Sequence, residues 1–234
     1  MSYLLFQSWR DLLFAHWPVQ ERQIQPWIPP GITIDRYAGE AWIAVVPFLM
    51  TGIRFRGTPA LPYLSRTLEL NLRTYVTVGG RPGVFFFSLD AASPVAVRIA
   101  RRFFHLPYFD ARMECTEKSG IFDYRSERTE EPAASFHGRY RPVGGVIRSA
   151  PGSLEHFLTE RYCFYTTNRS GEILRGDIVH EPWPLQAAEA EFPDNGLTLP
   201  WKIELPDTAP LLHFARRIDI RAQRLRRVDA DRGI

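Results

Sequence analysis

Between Leu68 and Val78 the chain alternates. Leu68, Leu70, Leu72, Val76 and Val78 fall on one side, and Glu69, Asn71, Arg73, Tyr75 and Thr77 on the other. A period of two is that of a strand. Gly79-Gly80-Arg81-Pro82-Gly83 then predicts a turn, and Val84 to Asp90 a returning strand, so the two runs form a hairpin. From Ser93 to Phe104 the period lengthens to a helix's. Val95 and Ile99 stand four apart, Ser93 can cap the first turn, Pro94 suits it, and Pro107 ends the segment.

The rest of the chain reads mostly as short strands. Residues 3–17 fit a strand or a short helix, and a helical piece around Val19–Ile24 stops at Pro29-Pro30-Gly31. Ile32–Tyr37 and Trp42–Met50 read as strands, with Pro47 pointing to an edge or a bulge, and a loop runs from Gly52 to about Leu64. Phe109–Thr116, Ile121–Thr129, Phe136–Arg141, Arg161–Thr167, Ile173–His180 and Leu211–Ile220 read as further strands. Ser153–Glu160 and Leu185–Glu191 read as short helices. The expected fold class is mainly β (α+β): one domain over residues 1–234, a large distorted antiparallel β-barrel with two or three short helices. Closure would remove unpaired strand edges. Residues 222–234 read as a flexible tail.

Composition narrows the function. Of 234 residues, 45% are apolar and 24% charged, as in an ordinary globular chain. The net charge is +3, and its basic part is nearly all arginine, Lys118 and Lys202 being the only lysines. The arginine-rich run Arg216–Arg227 reads as a solvated strand and tail, and no nucleic-acid motif accompanies it, so no nucleic-acid partner is expected. No run of 18 apolar residues suggests a membrane span, and the start of the chain makes a poor signal peptide. A cytoplasmic location and no membrane partner are expected. Cys115 and Cys163 lack metal-ligand spacing, and the six histidines form no i, i+2 or i, i+4 pair. No metal and no cofactor are therefore expected, and no dinucleotide, phosphate-loop or hydrolase signature occurs. The aromatic content and the edge-like Pro47 strand suggest a homodimer.

Candidate chemistry gathers on the polar side of 68–78. In an open sheet that face would be wet; lining a cavity, it could hold a small organic acid or carbonyl ligand. Glu69 is then a candidate base, Arg73 an anion clamp, and Asn71 and Tyr75 further ligand contacts. A Glu69–Arg73 pair would keep the carboxylate ionised, whereas a raised Glu69 pKa would favour catalysis. His105 and Tyr108 bracket Pro107 beyond the helix, where either could donate a proton, or Tyr108 could simply pack. His16 and Arg10 are candidate ligand contacts, with a structural histidine the alternative for His16. Phe85 and Phe87 could meet an apolar tail.

Six phrases in order resemble a known family: LLFAHWPV (12–19), GEAWIAVVPF (39–48), LELNLRTYV (68–76), GVFFFSLDAA (83–92), RRFFHLPYFDARM (101–113) and GSLEHFLTERYCFY (152–165). They are similar to the YqjF-like family of uncharacterised bacterial proteins, domain of unknown function 2071. That family distantly resembles acetoacetate decarboxylase in fold, which implies a β-barrel with an internal active site. The resemblance places the decarboxylase's two lysine positions on Tyr108 and Phe109 and its strand carboxylate on Glu69. A phenol cannot form an imine, so Schiff-base decarboxylation is not expected. The implied function is acid–base catalysis on a small carboxylate or carbonyl compound. A non-catalytic binding or sensing domain is the alternative, and a structural, self-associating protein the second.

Overall fold

The structure, a computed structural model, describes residues 3–59 and 66–228. The chain opens with β1 (Tyr3–Val19), α1 (Glu21–Ile24), a 3-10 turn (Gln25–Trp27), β2 (Thr33–Ile34), β3 (Ala41–Phe55), β4 (Arg66–Val78) and β5 (Arg81–Ala91). Then come α2 (Pro94–Phe104), β6 (Tyr108–Lys118), β7 (Ile121–Arg128), β8 (Ser135–Ile147), α3 (Leu154–Thr159), β9 (Cys163–Thr167) and β10 (Ile173–Val179). It closes with β11 (Leu185–Asn195), a second 3-10 segment (Gly196–Trp201), β12 (Leu211–Gln223) and β13 (Arg226–Arg227).

The strands form one 13-stranded sheet in the order β13-β10-β9-β5-β6-β7-β8-β11-β12-β1-β3-β4-β2, with further pairings β10–β12 and β5–β4. It is not the closed antiparallel barrel expected. The sheet forks. β5 gives one side to β4 and divides the other, Val84 and Phe85 running parallel to β9 and Leu89–Ala91 parallel to β6. β12 likewise gives one side to β1 and divides the other between β11 and β10. The outermost strands, β2 and β13, are two residues each, and shortness protects such free edges. Three α-helices and two 3-10 segments accompany the sheet among the described residues. The β5–α2–β6 crossover is what a parallel pairing requires.

β4 is buried on both faces. Leu70, Leu72 and Val76 enter one core with Leu13, Ile43 and Phe214, while Tyr75 joins a second with Phe14, Phe48 and Trp183. The β4–β5 hairpin is antiparallel, as its alternation predicts. Residues 3–17 are strand throughout, held by β12 on one side and β3 on the other. Residues 185–191 are strand rather than helix. Their alanines and glutamates favour helix alone, but pairing with β8 and β12 overrides that preference. Pro47 sits in an interior strand, not at an edge. It faces the irregularity where β1 and β3 lose register between Arg10 and Ala15, so its missing N–H breaks no regular ladder. Residues 222–228, read as tail, finish β12 and form β13; residues 229–234 lie outside the described ones, as does part of the 52–64 loop.

Candidate functional site

Glu69, Asn71 and Arg73 leave β4 on the face opposite Leu70 and Leu72, and each is less than a tenth exposed. With Tyr108 they line one end of a cavity of about 180 Å³. The crossover puts Tyr108 there. Leu89 on β5 pairs with Tyr108 on β6, and Ala91 two steps along pairs with Glu69. The Tyr108 hydroxyl therefore donates to Glu69 Oε2 at 2.7 Å. Tyr124 fixes the backbone beneath, donating its hydroxyl to the Glu69 carbonyl at 2.8 Å.

Burial pushes the Glu69 carboxyl up to about 7, although hydrogen bonds from Tyr108 and Asn71 hold it lower than burial alone would. Burial, with the Glu69 charge beside it, lifts Tyr108 well above the usual phenol range. At neutral pH Glu69 is thus divided between acid and carboxylate, while Tyr108 keeps its proton. Asn71 Oδ1 has no hydrogen-bond partner.

Arg73 is not the ion-pair partner of Glu69. Its guanidinium lies over the Phe14 ring at 5.2 Å and near Tyr75 at 5.8 Å, and its Nε makes no hydrogen bond. Among the described residues no carboxylate stands within ion-pair distance of it, whereas the similarly buried Arg128 and Arg161 have Asp90 and Asp35. The Glu69–Arg73 pairing entertained from the sequence is corrected: two steps along β4 leave these groups with different neighbours.

The other sequence candidates lie elsewhere. His16 is fully buried against Phe14 and 6.1 Å from Tyr75, and it does not line the cavity. Burial and the Arg73 charge lower its pKa well below 6.5, so it is neutral. Tyr75 is also fully buried and does not reach the wall. Arg10 stands on β1 outside the cavity, and its neighbour Trp9 lines it instead. His105 takes a left-handed conformation (φ 49°) at the end of α2, its carbonyl accepting from Thr166 Oγ1 at 2.6 Å. It lines a separate cleft with Phe85 and Phe87. The β4–β5 register slips between Leu72 and Arg73, and Phe86 and Leu89 reach the cavity. The sequence gives no sign of these two, whereas the inner face of α2 is signalled by its amphipathic spacing and Trp9 by its place beside Arg10 and His16. Lys118 and Lys202 are exposed, and neither lines the cavity.

No group of three or more metal-ligating side chains gathers among the described residues, and no helix there is long and apolar enough to cross a membrane.

A forked sheet of this topology, with helices at its crossovers, has the fold of acetoacetate decarboxylase and its structural relatives. The acetoacetate decarboxylase of Legionella pneumophila superposes with a TM-score of 0.67 at 11% identity, over 96% of this chain and 87% of that one. The enduracididine biosynthesis enzyme MppR complexed with pyruvate gives 0.67 at 9% identity, over 98% and 92%. An acetoacetate decarboxylase-like enzyme from Sphingomonas wittichii RW1 gives 0.63 at 15%, over 98% and 94%. Within that fold the chain belongs to the DUF2071 family of uncharacterised conserved proteins, which it matches over residues 6–219. It is 45% identical over 218 residues to the uncharacterised protein YqjF of Bacillus subtilis (strain 168), covering 93% of this chain and 90% of that protein.

Proposed function

We propose that the protein carries out acid–base chemistry on a small carbonyl compound bearing a carboxylate, without a lysine Schiff base. One observation carries the proposal: Arg73 is a buried guanidinium with no carboxylate partner, on the same face as a carboxyl group poised near neutrality. A buried charge is tolerated when paired, and a substrate carboxylate would supply the missing partner. Glu69, two strand steps away, would take a proton from the carbon beside the carbonyl. Its pKa near 7 suits both removal and return of that proton. Tyr108, which keeps its proton, would donate a hydrogen bond to the enolate oxygen as charge develops there. Glu69 would then return a proton to the same carbon, so that the product is the keto acid with its C3 proton exchanged. An imine route has no support, since neither lysine reaches the cavity.

Incubation with 2-oxobutyrate or 2-oxohexanoate in D2O, followed by NMR, tests this. Deuterium should enter at C3, and Glu69→Gln should slow that exchange by about 100-fold or more. Arg73→Met should chiefly raise KM. Binding of these acids with no exchange above the uncatalysed rate would contradict the catalytic reading and leave a non-catalytic binding domain.

A further inference from the structure

The cavity extends well beyond its polar end, and its walls change character along the way. Glu69, Asn71, Arg73 and Tyr108 sit at one end, and the exposed Arg54 and Thr58 also line it, on the outer part of β3 and the turn beyond. Between them the lining is apolar apart from Gln7 on β1: Trp9, Met50, Ile53, Phe86, Ile99 and Ile220. On β1 both Trp9 and Leu5 line it, four residues apart, a span of about 13 Å along a strand. The fourth wall is α2, which presents Ala96, Ile99, Ala100 and Phe104 at i, i+3, i+4 and i+8, one helical face. Two of those four are alanines, one turn apart. A larger residue at either would fill the space that a close-packed core normally closes.

From this geometry we infer that the acid taken by the site carries an apolar tail, its carboxylate on Arg73 and its tail running along α2 toward Ile53. This rests on the carboxylate reading of Arg73 given above. The size is set by volume: a cavity of about 150 Å³ holds a benzene-sized group, so 180 Å³ admits an acid of about six to eight heavy atoms, head group included, with hexanoate about the limit. The orientation is set by burial. Arg54 is exposed and loses little by staying in water, whereas Arg73 is buried and has no carboxylate beside it. The head group therefore goes inward. A two- or three-carbon acid would leave most of the apolar wall uncovered.

Calorimetric titration of the whole protein with acetate, butyrate, hexanoate and octanoate tests the inference. These saturated acids have no carbonyl to turn over, so binding is read alone. Affinity should rise up to about fourfold per methylene as far as hexanoate. Arg73→Met should weaken hexanoate at least tenfold. Ala100→Phe should weaken octanoate at least tenfold while changing acetate less than threefold. Arg54→Ala should alter hexanoate by no more than about twofold. Thermal melts establish that each variant is folded, and the α2 and Arg54 variants keep the test intact should Arg73→Met fold poorly. Equal affinity for all four acids, with dependence on Arg73 retained, would overturn the tail and leave the proposed function standing. Binding that depends on Arg54 and not on Arg73 would overturn the inward orientation. If none of the acids binds the folded wild-type protein, the carboxylate reading of Arg73 fails, and the inference with it.

Discussion

Glu69 is an acid held in reserve by its surroundings. Its pKa rises from 4.5 to about 7 mainly through burial, so between those values the folded protein holds a proton that the unfolded chain has released. The sign follows: stability falls as pH rises from about 4.5 to 7, then levels off. Glu69→Gln removes the penalty while keeping an oxygen to accept from Tyr108. It should therefore raise stability by about 3 kcal/mol at pH 8 and leave it nearly unchanged at pH 4.5, as denaturant melts at the two pH values would record. Tyr108→Phe acts in the opposite sense on the proton. Its hydroxyl favours the carboxylate, so its loss should move the acid limb of the exchange profile to higher pH. Glu69, Asn71 and Arg73 were legible as a group because a strand's alternation alone puts them on one side. What alternation does not carry is who stands next to whom. The separation of Glu69 from Arg73, and the pairing of Glu69 with Tyr108 from 39 residues away, depend on a crossover that local pattern does not reveal.

At the level of elements, close contacts between neighbouring strands shape the cavity. β9 and β10 run antiparallel, with Gly176 opposite Phe164, and the Phe164 ring lies where a Cβ on Gly176 would go. Phe164 also walls the cavity. Gly176→Ala must push that ring aside and should destabilise the protein by about 1–3 kcal/mol, measurable by thermal melting, while weakening acid binding. The α2 helix was legible in both position and cap, since Ser93 accepts from the Ala96 N–H as its sequence context suggests. Two other readings failed for physical reasons. Phe85 and Phe87 were expected to touch ligand because regular alternation groups them. The slipped register opposite Leu72 and Arg73 leaves them facing a different cleft from the site. β11 was expected to be helical because its residues favour helix locally, and its strand character comes from partners distant in sequence.

Across the whole molecule, the fork at β5 needs a brace, and Asp90 with Arg128 supplies one. Arg128 Nη2 and Nε donate to Asp90 Oδ1 at 2.7 and 3.1 Å, with both side chains almost wholly out of solvent. The pair joins β5 to β7 across β6, and Arg128 lies over Phe109, next to Tyr108, at 3.9 Å. Arg128→Met leaves a carboxylate buried and alone and should cost about 3–5 kcal/mol; adding Asp90→Asn should recover much of that loss. The mainly-β class was legible from the many short alternating runs, but the fork that stands in place of closure was not. A barrel and a forked sheet use the same strands and differ only in how β5 and β12 divide their sides. In the proposed reaction this fold would present Arg73 to a carboxylate and the Glu69–Tyr108 pair to a carbonyl within one cavity. A crystal structure with 2-oxohexanoate bound would decide the matter. It should show the carboxylate in hydrogen-bond contact with Arg73, the keto oxygen toward Tyr108, C3 facing Glu69 and the tail along α2. Density for the acid with its carboxylate away from Arg73, or outside this cavity, would contradict the proposed reaction.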